Sequence, residues 1–305
     1  MTLYRITHKT EYLYKAPASL CYNEVRMLPR AFSHTLFTQE CLDAYALVEP
    51  VWGDHHERVD FFGNRVLFYA IRQPHEAMTI LVNSQVRITP QPGTNGQSIG
   101  AELLTQAAIT WDAVIDRLRS ERSQTILDAR QYTMPSPLVP LSAELAAYAN
   151  PSFTPKRPVI EAVYDLMGRI YREFTFMPGV TTIATPITTV LAERRGVCQD
   201  FAHLMIGCLR AKGLAARYVS GYIETLPPPG QEKLQGADAS HAWCSVYIPE
   251  VGWLDFDPTN HLIPVDQHVT VGWGRDFADV SPLKGVFYGD GRHQLAVSVD
   301  MVRVE

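Results

Sequence analysis

The sequence predicts an α+β protein: an all-β unit first, then helices packed on an antiparallel sheet. Apolar residues alternate in short runs from Leu3 to about Ile88. Helical spacing takes over from Leu103 to Lys212, and strand-like runs follow it without any βαβ alternation.

In the first unit the runs Tyr4 to Tyr14, Val59 to Ile71 and Met78 to Ile88 are punctuated by turn residues. Gly63-Asn64 separates VDFF from RVLFYAI and reads as a hairpin. ITPQPGTNGQSIG, Ile88 to Gly100, breaks the alternation with Pro and Gly and marks a boundary. The expected organisation is a β-rich N-terminal domain over 1–90, a linker and helical connecting region over 91–157, and a core over 158–305 that includes C-terminal strands.

Helical periodicity places Leu103, Leu104, Ala107, Trp111, Val114, Ile115 and Leu118 on one stripe, which the Pro-rich MPSPLVP ends. Ser142 is placed to cap a short helix over Ala143 to Ala149, and Pro158 opens a longer one over Val159 to Phe174. The next helix spans Cys198 to Lys212, with Phe201, Leu204, Met205, Cys208 and Leu209 on its apolar face and Gly213 just past its end. Leu214 to Glu224 reads as a strand, and a polar, Pro/Gly-rich loop runs from Thr225 to Ser240. His241 to Ile248 and Trp253 to Asp257 form a hairpin closed by PEVG, and VFYGDGRHQLAVSVDMVRVE reads as strand, turn, strand.

At 305 residues the chain has room for a full core and two domains, and 46% hydrophobic with 19% charged residues is ordinary for a soluble globular protein. A net charge of −5 leaves no basic footprint for nucleic acid. MTLYRITHKTEYLY alternates like a strand and lacks a secretory h-region, and no run approaches the ~18 apolar residues of a membrane span. Five cysteines, an odd number without framework spacing, suit a reducing compartment, so a cytoplasmic location is expected.

The chemistry is concentrated in three places. Cys198 opens a helix, where the N-terminal partial positive charge favours thiolate and free N–H groups can face an oxyanion; Gly196 before it is expected to let a substrate approach. Cys208, mid-helix on the apolar face, reads as structural and lies ~15 Å away along the helix, beyond disulfide reach. His241 starts a strand at a loop mouth, a platform for a general base. If the hairpin pairs in an even register, with Ile248 opposite Gly252, His241 and Asp257 share a face as diagonal neighbours; an odd register separates them. Asp255 shares that face and is the rival carboxylate; Pro258 beside Asp257 favours the latter, and Cys244 points away.

GVCQDFAHLMIGCLRAKGLAARYVSGY, HAW and GWLDFDPTN together resemble the bacterial transglutaminase-like proteins, a group within the papain-like cysteine hydrolase fold. YRITHKTEYLY, NEVRMLPR and FFGNRVLFYAIRQPH resemble the β-rich domain that precedes that core, and GRDFADVSPLKGV a segment that follows the triad. The resemblance implies a nucleophile helix packed on an antiparallel sheet, with Cys198, His241 and Asp257 as catalytic triad. Asp255 departs from the small residue frequent at its position, which touches the carboxylate's environment.

The expected function is cysteine-dependent cleavage or transfer of amide acyl groups, as a protease or amidase. Transamidation of glutamine and a non-catalytic binding module are the alternatives. The expected partners are a peptide or protein substrate and, for transfer, an amine; no cofactor and no metal are expected. Gln199, Asp200 and Trp243 are candidate substrate or oxyanion contacts, and Val180 to Val190 is a second source of an oxyanion donor. A zinc site from Cys198, His203 and His241 lacks the spacing of known motifs. His55 and His56 read as surface residues, Arg217 and Tyr218 as structural, and Arg275 and Asp276 as a mutual pair or a cleft rim.

Overall fold

The computed structural model describes residues 1–51, 53, 55–91, 108–225 and 239–304. The N-terminal strands are β1 (Thr2–Ala18), β2 (Leu20–Val25), β3 (Phe32–Ser33), β4 (Phe37–Glu49), β5 (His55–Val59), β6 (Arg65–Ile71) and β7 (His75–Pro90). Alternation does the sorting: Tyr4, Ile6, His8 and Thr10 are buried while the intervening residues of β1 face outward or lie half-buried. Val25, Tyr69, Ile71, Met78 and Ile80 fill a core that draws on both sheets. The expected hairpin forms, with Val59 opposite Arg65 and Gly63 at φ 79° in the turn. His55 and His56 are exposed on β5.

The last strands, β14 (Leu283–Tyr288) and β15 (His293–Arg303), return to this first unit. β15 pairs with β1 from Tyr4↔Arg303 to Tyr14↔His293, and β14 pairs with β2, giving orders β15-β1-β7-β4-β3 and β14-β2-β6-β5. The chain end thus completes both N-terminal sheets. Alternation specified two strands here but not their partners, and β1 and β2 offered open edges.

In the second unit the helices are α1 (Trp111–Ser120), α2 (Gln124–Arg130), α3 (Ala143–Ala149), α4 (Val159–Glu173), α5 (Ile187–Glu193), α6 (Cys198–Ala211) and α7 (Phe277–Val280). α1 buries Val114, Ile115 and Leu118; Leu103, Leu104 and Ala107 lie outside the described residues, as do most of the Ile88–Gly100 boundary and of the 225–240 loop. Ser142 caps α3 by accepting the Leu145 N–H at 3.3 Å, and α4 starts directly after Pro158.

The central sheet is antiparallel, in the order β12 (Gly252–Phe256), β11 (Ala239–Ile248), β10 (Ala216–Ile223), β13 (His268–Gly274). A short parallel pair, β8 (Thr175–Phe176) and β9 (Arg195–Gly196), leads the chain into α6. The expected single apolar face of α6 is too narrow: every residue from Asp200 to Arg210 is buried, between the sheet on one side and α3, α4 and α5 on the other.

Two amides of the first unit lock onto β13, an edge strand. Gln39 donates to the Thr270 carbonyl at 2.7 Å and accepts the Thr270 N–H at 2.8 Å. Asn64 does the same at Trp273, at 2.8 and 2.9 Å. Each satisfies backbone groups that a further strand would otherwise occupy. Among the described residues, no helix is long and apolar enough to cross a membrane.

Candidate active site

The approach to Cys198 is built by Asp200. Its Oδ2 accepts the Val197 N–H at 2.8 Å and the Thr181 hydroxyl at 2.7 Å, tying the helix start to the preceding loop. A Cβ on Gly196 would lie 2.7 Å from that oxygen. The glycine therefore makes room for the capping carboxylate, where the sequence suggested room for substrate. Asp200 is itself buried and serves as scaffold for the helix start. Cys198 is half-buried at the first helical position, where backbone N–H groups have no partner within the helix.

The hairpin adopts the even register, with Ile248 opposite Gly252 and Cys244 opposite Phe256. His241 and Asp257 consequently share a face, and His241 Nε2–H donates to Asp257 Oδ2 at 2.7 Å. Asp257 is completely buried and takes further hydrogen bonds on both oxygens. His268 Nε2–H and Asn260 Nδ2–H reach Oδ2 at 2.9 and 2.8 Å, and the N–H groups of Thr259 and Asn260 reach Oδ1 at 2.9 and 3.2 Å. Burial opposes ionisation, but attraction to His241 and the bonds from His241 and His268 hold the carboxyl far below its ordinary range.

Burial also works against the His241 imidazolium. The charge and hydrogen bond of Asp257, followed by the contact with Cys198, override it and raise the imidazole to about 10. Cys198 lies within hydrogen-bonding reach of this ring. With Nε2–H committed to Asp257, Nδ1 is the nitrogen left for the sulfur. Of the three side chains singled out from sequence, His241 and Asp257 are hydrogen-bonded, and Cys198 lies close enough to raise the same imidazole. Such a relay can stabilise a thiolate and pass a proton to a leaving group.

Asp255, the rival carboxylate, serves elsewhere. Its Oδ2 accepts the Trp243 indole N–H at 2.9 Å, and its Oδ1 faces His34 Nε2 at 3.5 Å. Burial raises its pKa, but His34 and Arg217 more than compensate, leaving it at about 2. Trp243 is wholly buried and cannot wall an open acyl site, so it is a packing residue against His241 and His268. Gln199 is half-buried beside Cys198. Within the Thr-rich segment, Thr181 is committed to Asp200, and the Thr185 hydroxyl accepts the Thr182 N–H at 2.9 Å.

His203 accepts the Phe277 N–H at 3.1 Å, and burial lowers its pKa to about 4, so it stands apart from Cys198 and His241. The metal-capable cluster among the described residues is instead His241, Asp257 and His268, where both imidazoles already donate to the carboxylate. Arg275 pairs with Asp279 at 2.9 Å; Asp276 caps α7 and accepts the Leu138 N–H at 2.9 Å, so the two neighbours do not pair with each other.

Three residues of this constellation escaped the sequence reading. Asn260 and Thr259 follow Asp257 in DPTN, where an aspartate accepting from N–H groups two and three residues on is a local turn signal. His268 begins β13, whose HVTVGWG alternation was readable as a strand, although its position beside Asp257 was not.

The family model described as Transglutaminase-like superfamily matches residues 146–258, and that of the Bacterial transglutaminase-like N-terminal region matches residues 4–87. The chain belongs to the transglutaminase-like superfamily, whose members are typically cysteine-dependent enzymes. An uncharacterized protein of Mycobacterium tuberculosis is 39% identical over 307 residues, covering 99% of this chain and 93% of the relative. The crystal structure of a "Putative Cysteine Protease from Cytophaga hutchinsonii" superposes with a TM-score of 0.74 at 22% identity, covering 100% of this chain and 91% of that one, which establishes a shared fold. A protein-glutamine gamma-glutamyltransferase of Pseudomonas aeruginosa is 34% identical over 107 residues, 32% of this chain and 16% of its own length.

Proposed function

We propose that this protein opens amide bonds through a Cys198 thioester, acting as a protease or amidase on peptide substrates. The observation that carries this reading is the His241 imidazole, bonded to the buried Asp257 carboxylate through Nε2 and raised further by the neighbouring Cys198. In the resting state the proton sits on His241 and the negative charge on Sγ. The sulfur attacks the carbonyl carbon, and the oxygen takes up the electron pair of the opened C=O bond. The Cys198 backbone N–H receives that charge, with Gln199 beside it as second donor. As the C–N bond breaks, His241 Nδ1–H protonates the departing amine and leaves a thioester. The now neutral Nδ1 takes a proton from water, hydroxide adds to the thioester carbon, and the acid and free thiol are released. Asp257 keeps the ring's other N–H fixed throughout.

The test is to incubate the protein with a glutamine-containing peptide, with and without a primary amine, and to follow adducts on Cys198 and products by mass spectrometry. Thioester on Cys198 with free acid as product supports hydrolysis. An amine adduct in place of acid assigns transamidation. Absence of any acyl-enzyme, with Cys198 unreactive to alkylation, assigns a binding module that keeps the fold.

A further inference from the structure

Away from Cys198, the same face of the central sheet carries a buried cation with no hydrogen-bonded partner, Asp255 acting on it only through space. Arg217 lies on β10 opposite Ser245 and is 5% exposed. Its guanidinium carbon lies 4.1 Å from the Trp253 ring centroid and 3.8 Å from that of Trp273, so the two indoles bracket it. Its Nε is buried without a hydrogen-bond partner, and its attraction to Asp255 acts without a hydrogen bond. Burial lowers its pKa to about 10, which leaves it cationic at neutral pH.

Ring faces offset part of the cost of burying a guanidinium, but they leave its in-plane N–H groups unused. Those groups meet a cleft of about 460 Å³ between the two units, lined by Phe32, Ser33, His34, Trp253 and Trp273 beside Arg217. That volume suits a small organic molecule, which typically fills roughly 300–1,000 Å³. A second positive group stands behind the cleft wall, since Arg30 stacks on the same Trp273 indole, its Cζ 3.3 Å from the centroid. His34 Nε2, also in the lining, is buried without a hydrogen bond. The nearby acid Asp255 attracts Arg217 through space, but its hydrogen bond goes to Trp243 and it faces His34.

We propose that this interdomain cleft binds a carboxylate attached to an apolar or planar body, with Arg217 gripping the carboxylate through its free N–H edge. A planar fork held between two indoles matches a planar carboxylate bidentately, while Phe32, Trp253 and Trp273 take the apolar body. The site is separate from Cys198, so it stands or falls independently of the proposed amide chemistry. A free organic acid and the C-terminal carboxylate of a polypeptide present the same group.

Trp253 and Trp273 provide the readout. Intrinsic fluorescence of the full chain is titrated with benzoate, with a short peptide ending in phenylalanine as free acid or as amide, and with inorganic phosphate. Saturable quenching by benzoate or by the peptide acid, absent for the peptide amide, supports the site; quenching by the peptide acid alone supports it with a polypeptide end as the source. In Arg217→Met, which keeps an unbranched apolar stem, affinity falls about tenfold or more. In Ser33→Trp, which crowds the mouth and leaves the guanidinium in place, it falls likewise, and this variant guards against misfolding of the first. Calorimetry reads that variant, since it adds an indole. Phosphate binding in preference to benzoate, no saturable response to any acid, or benzoate affinity unchanged in Arg217→Met overturns the proposal.

Discussion

Replacing Asp257 by Asn keeps the side chain's shape and removes its charge. In the wild type that charge, with its hydrogen bond, is the chief support of an imidazolium that burial opposes, and it carries the ring from 6.5 to about 10. The interval is worth between about three and four powers of ten in imidazolium stability, and because it is net of the burial that opposes it, it understates what Asp257 supplies. The floor follows from the thiol: without an ion-pair partner a cysteine is only a few per cent thiolate at pH 7, a loss of about thirtyfold in nucleophile. An amide at this position also fails geometrically, because one oxygen cannot serve His241, His268 and Asn260 while its NH2 faces further donors. The expected result is a fall in Cys198 alkylation by iodoacetamide at pH 7 of about thirtyfold or more. The assay is a second-order rate at each pH from 5 to 10.5, with the modified residue located by mass spectrometry. The wild type should keep its imidazolium until that is lost near pH 10, whereas in the variant burial draws the ring below 6.5, so the two rate profiles should diverge across neutral pH. Asp255→Asn is the control: its partners are Trp243 and His34, so it should lower thermal stability and leave this pH profile in place. Equal alkylation rates for wild type and Asp257→Asn at pH 7 would refute the reasoning.

Gly196→Ala puts a methyl 2.7 Å from Asp200 Oδ2 and should cost about 1–3 kcal/mol in urea unfolding as the cap is displaced; an unchanged midpoint would show the cap to be dispensable. Stability should fall as pH drops from 6.5 toward 4, because His8 and His203, each lowered to about 4 by burial, stay neutral in the fold while the unfolded chain takes up their protons. The slope is at most about 1.4 kcal/mol per pH unit for each group, and His203→Gln should flatten it; equal slopes in that variant count against the assignment. Deleting residues 283–304 strips partners from β1 and β2 and should abolish a cooperative thermal transition, whereas a native-like melt would show the sandwich stable without them.

Much of the site was legible because its logic is local or depends on parity. A cysteine opening a helix needs only the pattern around Cys198, and the even register follows from a turn of fixed length, which then decides on which face Asp257 must lie. What could not be read are the contacts that join distant segments. Nothing in the alternation of residues 286–305 says that they close sheets begun at residue 2, and nothing local says that α6 will be covered on every side. Gly196 shows the same limit on a small scale: the sequence marks a place where a side chain is absent, and only the packing shows that Asp200 fills it.

Asp257 ties these two kinds of information together. A bare carboxylate in so dry a position would protonate and could not hold an imidazolium. Two of its donors, the N–H groups of Thr259 and Asn260, come from the adjoining turn, so DPTN builds its own partial solvation wherever it is placed. His241 and His268 arrive from two other strands, and their bonds form only once β10 to β13 have assembled as one sheet. The acid is therefore strongest in the completed fold, which couples the charge state of His241 to the closure of the sheet around it. Replacing His268 with leucine should then weaken Cys198 alkylation less than Asp257→Asn does, since four of the five donors and the charge itself remain.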